Sequence, residues 1–495
     1  MSIIINALAG TGKTFALVGG ARCAKGNRPL SPHPTEQQSV IWKRISMGMA
    51  PLDICFVAFT TSARDDIKIR LHEKRIFDVF TVHGLGLKTI QTQFGMSGLH
   101  AVVDPRKTDK MISMAFGDRS IFAIRRTHPG LTSAITRLVQ LCKYSNLTVP
   151  NDEQLLSLAA EYQVLYGDVN LLFDMTRKVL QLTIDNCQVI DFDDMSWLPI
   201  VLDMSIRRYD MLIVDEGQDL NCNQQEFILR AGREFLIAGD RHQAIYGFRG
   251  ADTQSMTTMT ERISGLSPTI QLPLTMTMRC SKVVVEQAQE IVPEFTAHPG
   301  NLPGYLDFQE NTNNAIPKDM ILCRTNAPLI SEAFRLINSN KPVEILGQSI
   351  CTSLISLVEM LGGETSEEAL GKLEKYHIRA LRQLEELKCN TKFAKIAIQD
   401  RYNCVSTFLI STDTPDQAVR AIRNFFSQKT QAIILSSIHQ AKGLEADNVF
   451  IIRPDLLPHP RAESPWEREQ EENLQYVAIT RSRDGLIWVE EEEDE

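Results

Sequence analysis

An eight-residue segment near the N-terminus, Ala7-Leu-Ala-Gly-Thr-Gly-Lys-Thr14, contains the residue types of a phosphate-binding loop. It matches the pattern GxxxxGK(S/T), except that Ala7 replaces the first glycine. The two glycines would let backbone N–H groups close around phosphate oxygens, the lysine would reach the β- and γ-phosphates, and the threonine hydroxyl would ligate Mg²⁺. An apolar run precedes this loop at Ile3–Asn6 and a helix-like run follows it at Phe15–Val18, which is the context that such a loop requires. The segment therefore predicts a binding site for a nucleoside triphosphate.

A second segment, Met211 to Asp219, reads MLIVDEGQD and places two carboxylates after an apolar run. If the run is a β-strand, Asp215 and Glu216 lie at its carboxyl end, where α/β sheets bind ligands. Asp215 could hold the metal ion, and Glu216 could orient or deprotonate an attacking water. An apolar run that ends in an acidic turn is common by itself, but together with the phosphate-binding loop it predicts a phosphoryl-transfer hydrolase.

A third segment, GDRHQAIYGFRGA at Gly239–Ala251, combines polar and aromatic residues after another apolar run. Asp240 and Gln243 could sense a γ-phosphate. The segment also contains Tyr246, Phe248 and Arg249, and aromatic side chains beside an arginine suit stacking on single-stranded bases. Packing of the two aromatic rings in the protein core is the alternative interpretation.

Two later segments and one intermediate segment supply isolated cations. These are LTMTMRCS with Arg279, SSIHQAKGLE with one lysine before the final Glu445, and QYVAITRSR with Arg481. A nucleotide-hydrolysing enzyme needs positive charge on the transition state, and an arginine from a second domain can supply it. Either arginine could instead be an ordinary ion-pair partner.

The elements that must position these residues follow from the alternation of short apolar runs with helix-like segments, which is typical of parallel α/β architecture. Two stretches, 88–180 and 331–428, have only helical periodicity; the apolar stripe within the second one indicates packing and not a cofactor site. We therefore predict two α/β cores, each interrupted by a helical insertion. The predicted strands are Ile3–Asn6, Ile54–Phe59, Met211–Val214, Phe235–Ala238, Met320–Cys323, Ile433–Ser436 and Val449–Ile452.

Composition excludes several other classes of protein. The chain has 495 residues, of which 43% are hydrophobic and 23% charged, so it can bury substantial cores. It has no run of about 20 apolar residues. Its ten cysteines are scattered without metal-ligand spacing, which fits a reducing cytoplasm. Our expectation for the localisation is the cytoplasm of a bacterium or of a phage-infected cell.

The charge balance of −9 does not by itself favour binding to an acidic polymer. Six of these negative charges lie in the terminal run Glu490–Glu495, which is either a solvated tail or a docking segment for a protein partner. The stretch Arg106–Arg126 is basic, with six Lys and Arg against two Asp, and a solvated helix face would have the same composition. Any nucleic-acid binding should therefore depend on local charge and stacking.

The order of the motifs resembles the UvrD/Rep/PcrA family of superfamily 1 DNA helicases. The matching segments, from Ala7 to about Leu486, are AGTGKT, AFTTSARDDIKIRL, FTVHGLG, IVDEGQD, GDRHQAIYGFRGA, LTMTMRCS, SSIHQAKGLE and YVAITRSR. The resemblance implies two RecA-like P-loop domains with parallel sheets, ATP held between them and single-stranded DNA crossing their tops. The implied organisation is domain 1A (1–87 and 181–275), insertion 1B (88–180), domain 2A (276–330 and 429–489), insertion 2B (331–428) and an acidic tail (490–495).

The same resemblance assigns roles to individual residues. Catalysis would involve Asp215, Glu216, Gln243, Arg279 and Arg481. ATP would be held by Ala9, Gly10, Thr11, Gly12, Lys13, Thr14 and Glu445, the last at the ribose, and Mg²⁺ by Thr14 and Asp215. DNA would contact Phe59, Thr60, Thr81, His83, Tyr246, Phe248, Arg249 and His439.

The implied function is an ATP-dependent translocase and helicase that moves 3′→5′ on single-stranded and tailed duplex DNA during repair, recombination or replication. The alternative is a nucleic-acid-stimulated ATPase that remodels RNA or strips proteins without unwinding. A third possibility, a scaffold that does not hydrolyse ATP, is disfavoured because Lys13, Glu216, Arg279 and Arg481 are all present.

The chain departs from the family pattern in its adenine-recognition residues. The family's glutamine motif lies before the phosphate-binding loop, whereas here a similar segment, Thr35-Glu-Gln-Gln38, follows it. This segment is either a displaced adenine contact or a plain helix start. Met278 stands where a tyrosine commonly stacks on adenine, and Phe248 replaces a frequent tryptophan.

Overall fold

A computed structural model describes residues 1–27, 34–48, 51–71, 77–162, 164, 166–245, 254–385, 392–426, 431–460, 462 and 465–490. The chain forms two compact units, Met1–Thr275 and Met276–Glu495. Each unit is built on a six-stranded sheet in which all the paired strands run parallel. The predicted fold class, two RecA-like α/β cores with parallel sheets, is confirmed.

The first unit has a central sheet of strand order β3-β2-β6-β7-β1-β8 and a separate two-stranded ribbon, β4-β5. Register is set by pairs such as Ile3 opposite Leu236 and Ile54 opposite Met211. The strands are β1 Ser2–Ala7, β2 Ile54–Ala58, β3 Asp78–Thr81, β4 Val102–Val103, β5 Val189–Ile190, β6 Tyr209–Val214, β7 Gly232–Gly239 and β8 Thr269–Leu274.

Twelve helices are described in the first unit. They are α1 Lys13–Ala24, α2 Glu36–Gly48, α3 Thr61–Leu71, α4 Val82–Met96, α5 Lys107–Ala115, α6 Ile121–Thr127, α7 Leu131–Tyr144, α8 Asp152–Glu161, α9 Val169–Asp185, α10 Asp194–Val201, α11 Cys222–Ala231 and α12 Ser255–Ser264. Single 3₁₀ turns lie at Gly217–Asp219 and Arg241–Gln243.

Alternate strand residues cover the two faces of the first sheet, as the two-residue period of a strand requires. Phe56 of β2 packs in one apolar cluster with Trp42 of α2, while its neighbour Val57 packs in another cluster with Phe227 of α11. Both faces of the sheet are therefore buried under helices, which explains why its strands are continuous apolar runs in the sequence.

The predicted insertion 88–180 is helical and has a core of its own. Its apolar cluster runs from Ile90 to Met204, so the helical region continues past 180 to the end of α10 at Val201. Helix α8 begins with a capping box in which Asn151 accepts from the backbone N–H of Gln154 at 2.8 Å and the Gln154 side chain accepts in return.

The second unit contains a sheet of order β11-β16-β15-β12-β14-β13 and a short pair, β10-β9. Its strands are β9 Met276–Thr277, β10 Thr296–Ala297, β11 Tyr305–Gln309, β12 Met320–Cys323, β13 Val343–Ile345, β14 Ile433–Ser437, β15 Ala446–Ile452 and β16 Ser482–Val489. Its helices are α13 Lys282–Gln289, α14 Ala327–Asn338, α15 Gln348–Leu361, α16 Ser366–Glu385, α17 Lys392–Ile410, α18 Pro415–Phe425 and α19 Pro465–Ile479, with a 3₁₀ turn at Pro454–Leu456.

The predicted insertion 331–428 needs a correction. Strand β13 lies within that range and pairs with β14, so the range includes part of the central sheet. Helices α15 to α18 also share one apolar cluster with the sheet, in which Phe408 of α17 packs with Phe450 of β15 and Ile487 of β16. This segment is therefore one helical layer of the second α/β core and has no separate core among the described residues.

All seven predicted strands are present. The two central sheets also contain five strands that the apolar runs did not indicate: β3, β8, β11, β13 and β16.

None of the helices in the described part of the chain combines the length and the apolar composition that a membrane crossing needs.

Candidate functional site

The phosphate-binding loop lies between the end of β1 and the start of α1 in the first unit. Gly10 and Gly12 have φ angles of 66° and 80°, in the left-handed region that glycine adopts without steric cost. Gly12 caps α1 without a side-chain hydrogen bond, and the first turn of the helix has no acidic residue. The backbone N–H groups and the positive end of the helix dipole are therefore directed to an anion, as a phosphate site requires.

The remaining loop residues hold this conformation. Ala9 and Thr11 are fully buried, and the Thr11 hydroxyl donates to the carbonyl oxygen of Leu8 at 2.8 Å.

Two direct contacts join the loop to the acidic turn after β6. Lys13 Nζ lies 3.0 Å from Glu216 Oε2, and the Thr14 hydroxyl donates to Asp215 Oδ2 at 2.6 Å. Strands β1 and β6 both flank β7 in the sheet, so their carboxyl ends meet at one edge. The predicted phosphate, metal and water-activating residues are thus brought together.

The electrostatics of this cluster keep the lysine charged. Burial lowers the pKa of Lys13, but Glu216, Asp240 and Asp215 outweigh it and leave this pKa above its usual value. Burial and the charge of Glu216 raise the pKa of Asp215 to about 6. Burial likewise raises the pKa of Asp240 to about 6, although Lys13 opposes the shift. Three carboxylates around one lysine leave excess negative charge, which a divalent cation would neutralise.

A side chain that the sequence reasoning missed, Gln218, links the acidic turn to the end of β7. Its Nε2 donates to Glu216 Oε2 at 2.6 Å, while its Oε1 accepts from the backbone N–H of Asp240 at 3.0 Å. Asp240 in turn accepts from Gln243 Nε2 at 2.8 Å. A hydrogen-bonded chain therefore joins Glu216 to the predicted γ-phosphate sensor, Gln243. The only sequence signal for Gln218 was its place in the acidic turn.

The segment Thr35–Gln38 forms the start of α2 and also reaches the phosphate-binding loop. Thr35 and Gln38 make reciprocal capping contacts of 3.1 and 3.2 Å, so the helix-start interpretation is confirmed. Gln38 is buried, and its Nε2 lies 3.4 Å from the carbonyl oxygen of Thr11. The adenine contact stays a prediction.

The second unit holds a cluster of three arginines around Glu445. Arg279 and Arg483 form ion pairs with different oxygens of the Glu445 carboxylate. Burial raises the pKa of Glu445, but Arg483, Arg279 and Arg481 outweigh it and hold this pKa below its usual range. Arg483 was not among the predicted residues, and its position two residues after Arg481 was the available signal.

Arg481 itself is 1% exposed and is fixed by its surroundings. It donates to the carbonyl oxygens of Val477 and Leu444 at 2.9 and 3.1 Å and to the Thr480 hydroxyl at 3.1 Å. These contacts hold the guanidinium in one orientation at the end of α19.

The predicted DNA-binding residues of the first unit lie at the carboxyl ends of two adjacent strands. Phe59 is half-buried and Thr60 exposed after β2, and Thr81 ends β3, where it pairs with Ala58 of β2. The Thr81 hydroxyl accepts from the backbone N–H of Gly84 at 3.0 Å and so caps α4. His83, in the first turn of α4, is half-buried. Burial lowers the pKa of His83, and Asp193 opposes the shift.

Other predicted DNA contacts are placed differently. Tyr246, Phe248 and Arg249 lie outside the described residues, and His439 is half-buried after β14 in the second unit. Phe192, which the sequence reasoning missed, is 56% exposed beside Asp193 in the turn before α10. Asp193 interacts with His83, so the exposed ring of Phe192 lies near His83 and is a further candidate for base stacking. In the sequence, the available signal for Phe192 was an aromatic residue within the acidic run DFDD.

Within the described ranges, no group of three or more His, Cys, Asp or Glu side chains could hold a metal ion. Mg²⁺ is commonly bound by one or two carboxylates together with phosphate oxygens and water. Asp215 and Thr14 fit that requirement, so the residues present suit a magnesium–nucleotide complex and not a free metal ion.

Comparison with known proteins agrees with this geometry. A model of the UvrD/REP helicase N-terminal domain matches residues 1–264, and one of the UvrD-like helicase C-terminal domain matches residues 366–492. F-box DNA helicase protein 1 of Schizosaccharomyces pombe is 24% identical over 98% of this chain and 55% of that protein. ATP-dependent DNA helicase PcrA of Staphylococcus epidermidis is 21% identical over 88% of this chain and 77% of that protein.

A shorter match, 26% identical, covers 44% of this chain and 33% of ATP-dependent DNA helicase Rep of Escherichia coli. The aligned regions thus span about half of the fission yeast protein and a third of Rep. Since one family model covers more than half of the chain and its motifs fold into a phosphate-binding site, the protein belongs to the UvrD/Rep/PcrA-type family of superfamily 1 DNA helicases.

Proposed function

We propose that this protein is an ATP-dependent motor that translocates along single-stranded DNA and unwinds duplex DNA. The observation that carries the proposal is the joining of the phosphate-binding loop to the acidic turn through Lys13–Glu216 and Thr14–Asp215. A loop with that arrangement of lysine, hydroxyl and carboxylates has the donor set that a magnesium–ATP complex needs.

Lys13 is charged and already paired with Glu216. We infer that phosphate oxygens replace the carboxylate as the partner of Lys13, which frees Glu216 to orient water and to accept its proton. Gln218 holds the freed carboxylate through its amide N–H. Bound Mg²⁺ would supply positive charge to the phosphate oxygens, with Thr14 and Asp215 as its protein partners.

The second unit is proposed to contribute Arg279 and Arg481 as charges that stabilise the transition state, and Glu445 as the ribose contact. Gln243 would sense the γ-phosphate. Support for these roles is the fixed orientation of Arg481 and the hydrogen bond from Gln243 to Asp240.

DNA is proposed to contact the carboxyl ends of strands β2 and β3 in the first unit and a further set of residues given below. Exposed Thr60, half-buried Phe59 and half-buried His83 offer hydrogen-bonding and stacking groups there. The remaining proposed contacts are Thr81, Tyr246, Phe248, Arg249 and His439. Translocation 3′→5′, on single-stranded and tailed duplex DNA in repair, recombination or replication, stays a proposal, as does a protein partner for the acidic tail.

The first test compares ATP hydrolysis by wild type, Lys13→Ala and Lys25→Ala, with and without single-stranded DNA. Lys25 lies just after α1 and donates to the carbonyl oxygen of Leu52, so it is a matched control away from the loop. We expect DNA-stimulated hydrolysis in wild type and Lys25→Ala and its loss in Lys13→Ala. Equal hydrolysis by all three proteins would refute the assignment.

The second test uses duplexes with 3′ or 5′ single-stranded tails, and single-stranded RNA as a competitor. Displacement of the strand from 3′-tailed duplex alone is the expected result. Hydrolysis stimulated equally by RNA, without strand displacement, would instead support an ATPase that remodels RNA or nucleoprotein.

A further inference from the structure

The helical layer of the second unit contains a cavity that none of the proposed ATP or DNA residues lines. It has a volume of about 150 Å³ and lies among α15, α16 and α17. Apolar side chains of Leu357, Leu373 and Ile398 form part of its wall. An apolar cavity of this volume holds about one benzene ring. The space therefore suits a single six-membered ring.

Two polar atoms of the cavity wall are buried without a hydrogen-bond partner. They are Arg401 Nε and His377 Nδ1, and both residues line the cavity. Arg401 uses its NH2 group to bond the carbonyl oxygen of Ser353 at 2.9 Å. Across the residues that the structure describes, no carboxylate forms an ion pair with Arg401. Buried polar groups are nearly always paired in folded proteins, so this wall lacks an acceptor.

An aromatic surface adjoins these two atoms. The His377 and Tyr402 rings are stacked with centroids 4.4 Å apart and planes at 33°. Both residues are partly exposed, so the cavity opens to solvent at this side. A flat ligand could enter beside the stacked pair and place its polar group against Arg401.

We propose that this cavity binds a six-membered aromatic ring that carries a carboxylate. The ring would fill the apolar space, and the carboxylate would accept from Arg401 Nε and lie beside His377 Nδ1. A neutral ring without an acceptor would leave the buried Arg401 Nε unpaired. A phosphate would leave the apolar wall unfilled. Two sources have the required chemistry: a free aromatic acid, and the carboxyl terminus of a peptide that ends in phenylalanine.

The test measures binding to the full-length chain by calorimetry and by ligand-observed NMR. The probes are benzoate, benzamide, thymidine, and Gly-Gly-Phe with a free or an amidated carboxyl terminus. We expect benzoate to bind and benzamide, its neutral isostere, to bind at least about tenfold more weakly. This comparison uses the wild-type protein, so it does not depend on the folding of a variant.

Variants then locate the site. Arg401→Gln should weaken benzoate binding by at least about tenfold. Arg423→Gln should leave it unchanged, because Arg423 lies on α18, is exposed and faces Glu359 at 4.0 Å. Tighter binding of the free-carboxyl tripeptide than of benzoate would identify a peptide terminus as the ligand, and the reverse order would identify a small acid.

Three outcomes with benzoate or the tripeptide would overturn the proposal. They are no binding of benzoate or the tripeptide at their highest soluble concentrations, equal binding of benzoate and benzamide, and undiminished binding to a folded Arg401→Gln variant. Tighter binding of thymidine than of benzoate would also overturn it and would favour a nucleobase. None of these results depends on whether the protein hydrolyses ATP.

Discussion

Replacement of Asp194 by asparagine is predicted to destabilise the helical part of the first unit more than any other single charge removal in its surroundings. Asp194 and Lys107 are both 0% exposed, and Asp194 Oδ2 lies 2.7 Å from Lys107 Nζ. Asp194 Oδ1 lies 2.8 Å from Lys143 Nζ, in a contact that has ion-pair distance but lacks hydrogen-bond geometry. One carboxylate thus compensates two buried ammonium groups.

The magnitude follows from what each lysine retains. In Asp194→Asn, Lys143 keeps both oxygens of Asp191 at 3.0 and 3.1 Å. Lys107 keeps the carbonyl oxygen of Thr183, at 3.0 Å, and the neutral amide oxygen of the new asparagine, so it loses its paired carboxylate. An uncompensated buried charge costs about 3–5 kcal/mol. Asp191→Asn is the matched control: it leaves both lysines with Asp194, so it should cost the lower amount of about 1.5–3 kcal/mol typical of a charged hydrogen bond.

The pH dependence gives a second signature. Burial lowers the pKa of Lys107, and Asp194 opposes that shift only in part. Without Asp194, the folded-state pKa should fall further below the unfolded value. A group with a lowered pKa binds fewer protons in the folded state, so stability rises with pH in the interval between the two values. The loss in Asp194→Asn should therefore be largest near neutral pH and should shrink at alkaline pH.

The assay combines urea unfolding with hydrogen exchange of peptides from α5, α7 and α10. Urea gives the free energy of unfolding, and exchange shows whether the loss is confined to these helices. A loss below 1 kcal/mol in Asp194→Asn, or an equal loss in Asp191→Asn, would contradict the reasoning.

Three further predictions test other contacts. Gly86→Ala should lower the free energy of unfolding in urea by about 1–3 kcal/mol, because the added Cβ would lie 1.9 Å from the carbonyl oxygen of Met195. Gly95→Ala is the control on the same helix: its Cβ would have open space around it, so this change should be neutral or stabilising. Similar losses in both variants would exclude close packing as the cause. Gln38→Leu should raise the KM for ATP about fivefold and leave kcat little changed, as expected for the loss of one hydrogen bond of about 1 kcal/mol. An unchanged KM in steady-state assays would show that Gln38 is not part of the ATP site. Burial raises the pKa of Asp191, but Lys143 and the backbone N–H of Asp194 outweigh it and hold this pKa below its usual range. The contribution of the Asp191 carboxylate to stability should therefore be complete above pH ~4 and be lost as pH falls through the folded-state pKa. An acid-unfolding midpoint that does not move in Asp191→Asn would argue against this.

The elements that the sequence predicted well are those in which one local pattern determines the structure. Strands buried on both faces, such as β2 and β6, are uninterrupted apolar runs and were recognised. Strand β11 was missed because it lies at the sheet edge, where none of its five residues is fully buried and Tyr305 and Phe308 are exposed, so it is not a continuous apolar run. Strand β16 begins with the polar residues Ser482-Arg-Asp-Gly485, which resemble a turn.

The limits of the site prediction have a similar cause. Lys13, Thr14, Asp215 and Glu216 could be predicted together from residue type and local spacing, and the structure places their side chains in contact. Gln218 was missed because its partner, the backbone of Asp240, becomes its neighbour only when β6 and β7 pair. The range 331–428 was assigned to an insertion because helical periodicity shows that a helix has an apolar face, but not which surface covers that face.

The apolar cluster common to α15–α18 and the second sheet has a mechanical consequence. Side chains such as Phe408 and Phe450 belong to the helices and the strands of one core, and protein interiors transmit strain because they are close-packed. A pulling force applied to these helices would be carried directly by strands β15 and β16, which begin beside Glu445 and Arg483. In a motor, such a layer would act as a stiff lever arm of the second unit and not as a freely swinging attachment.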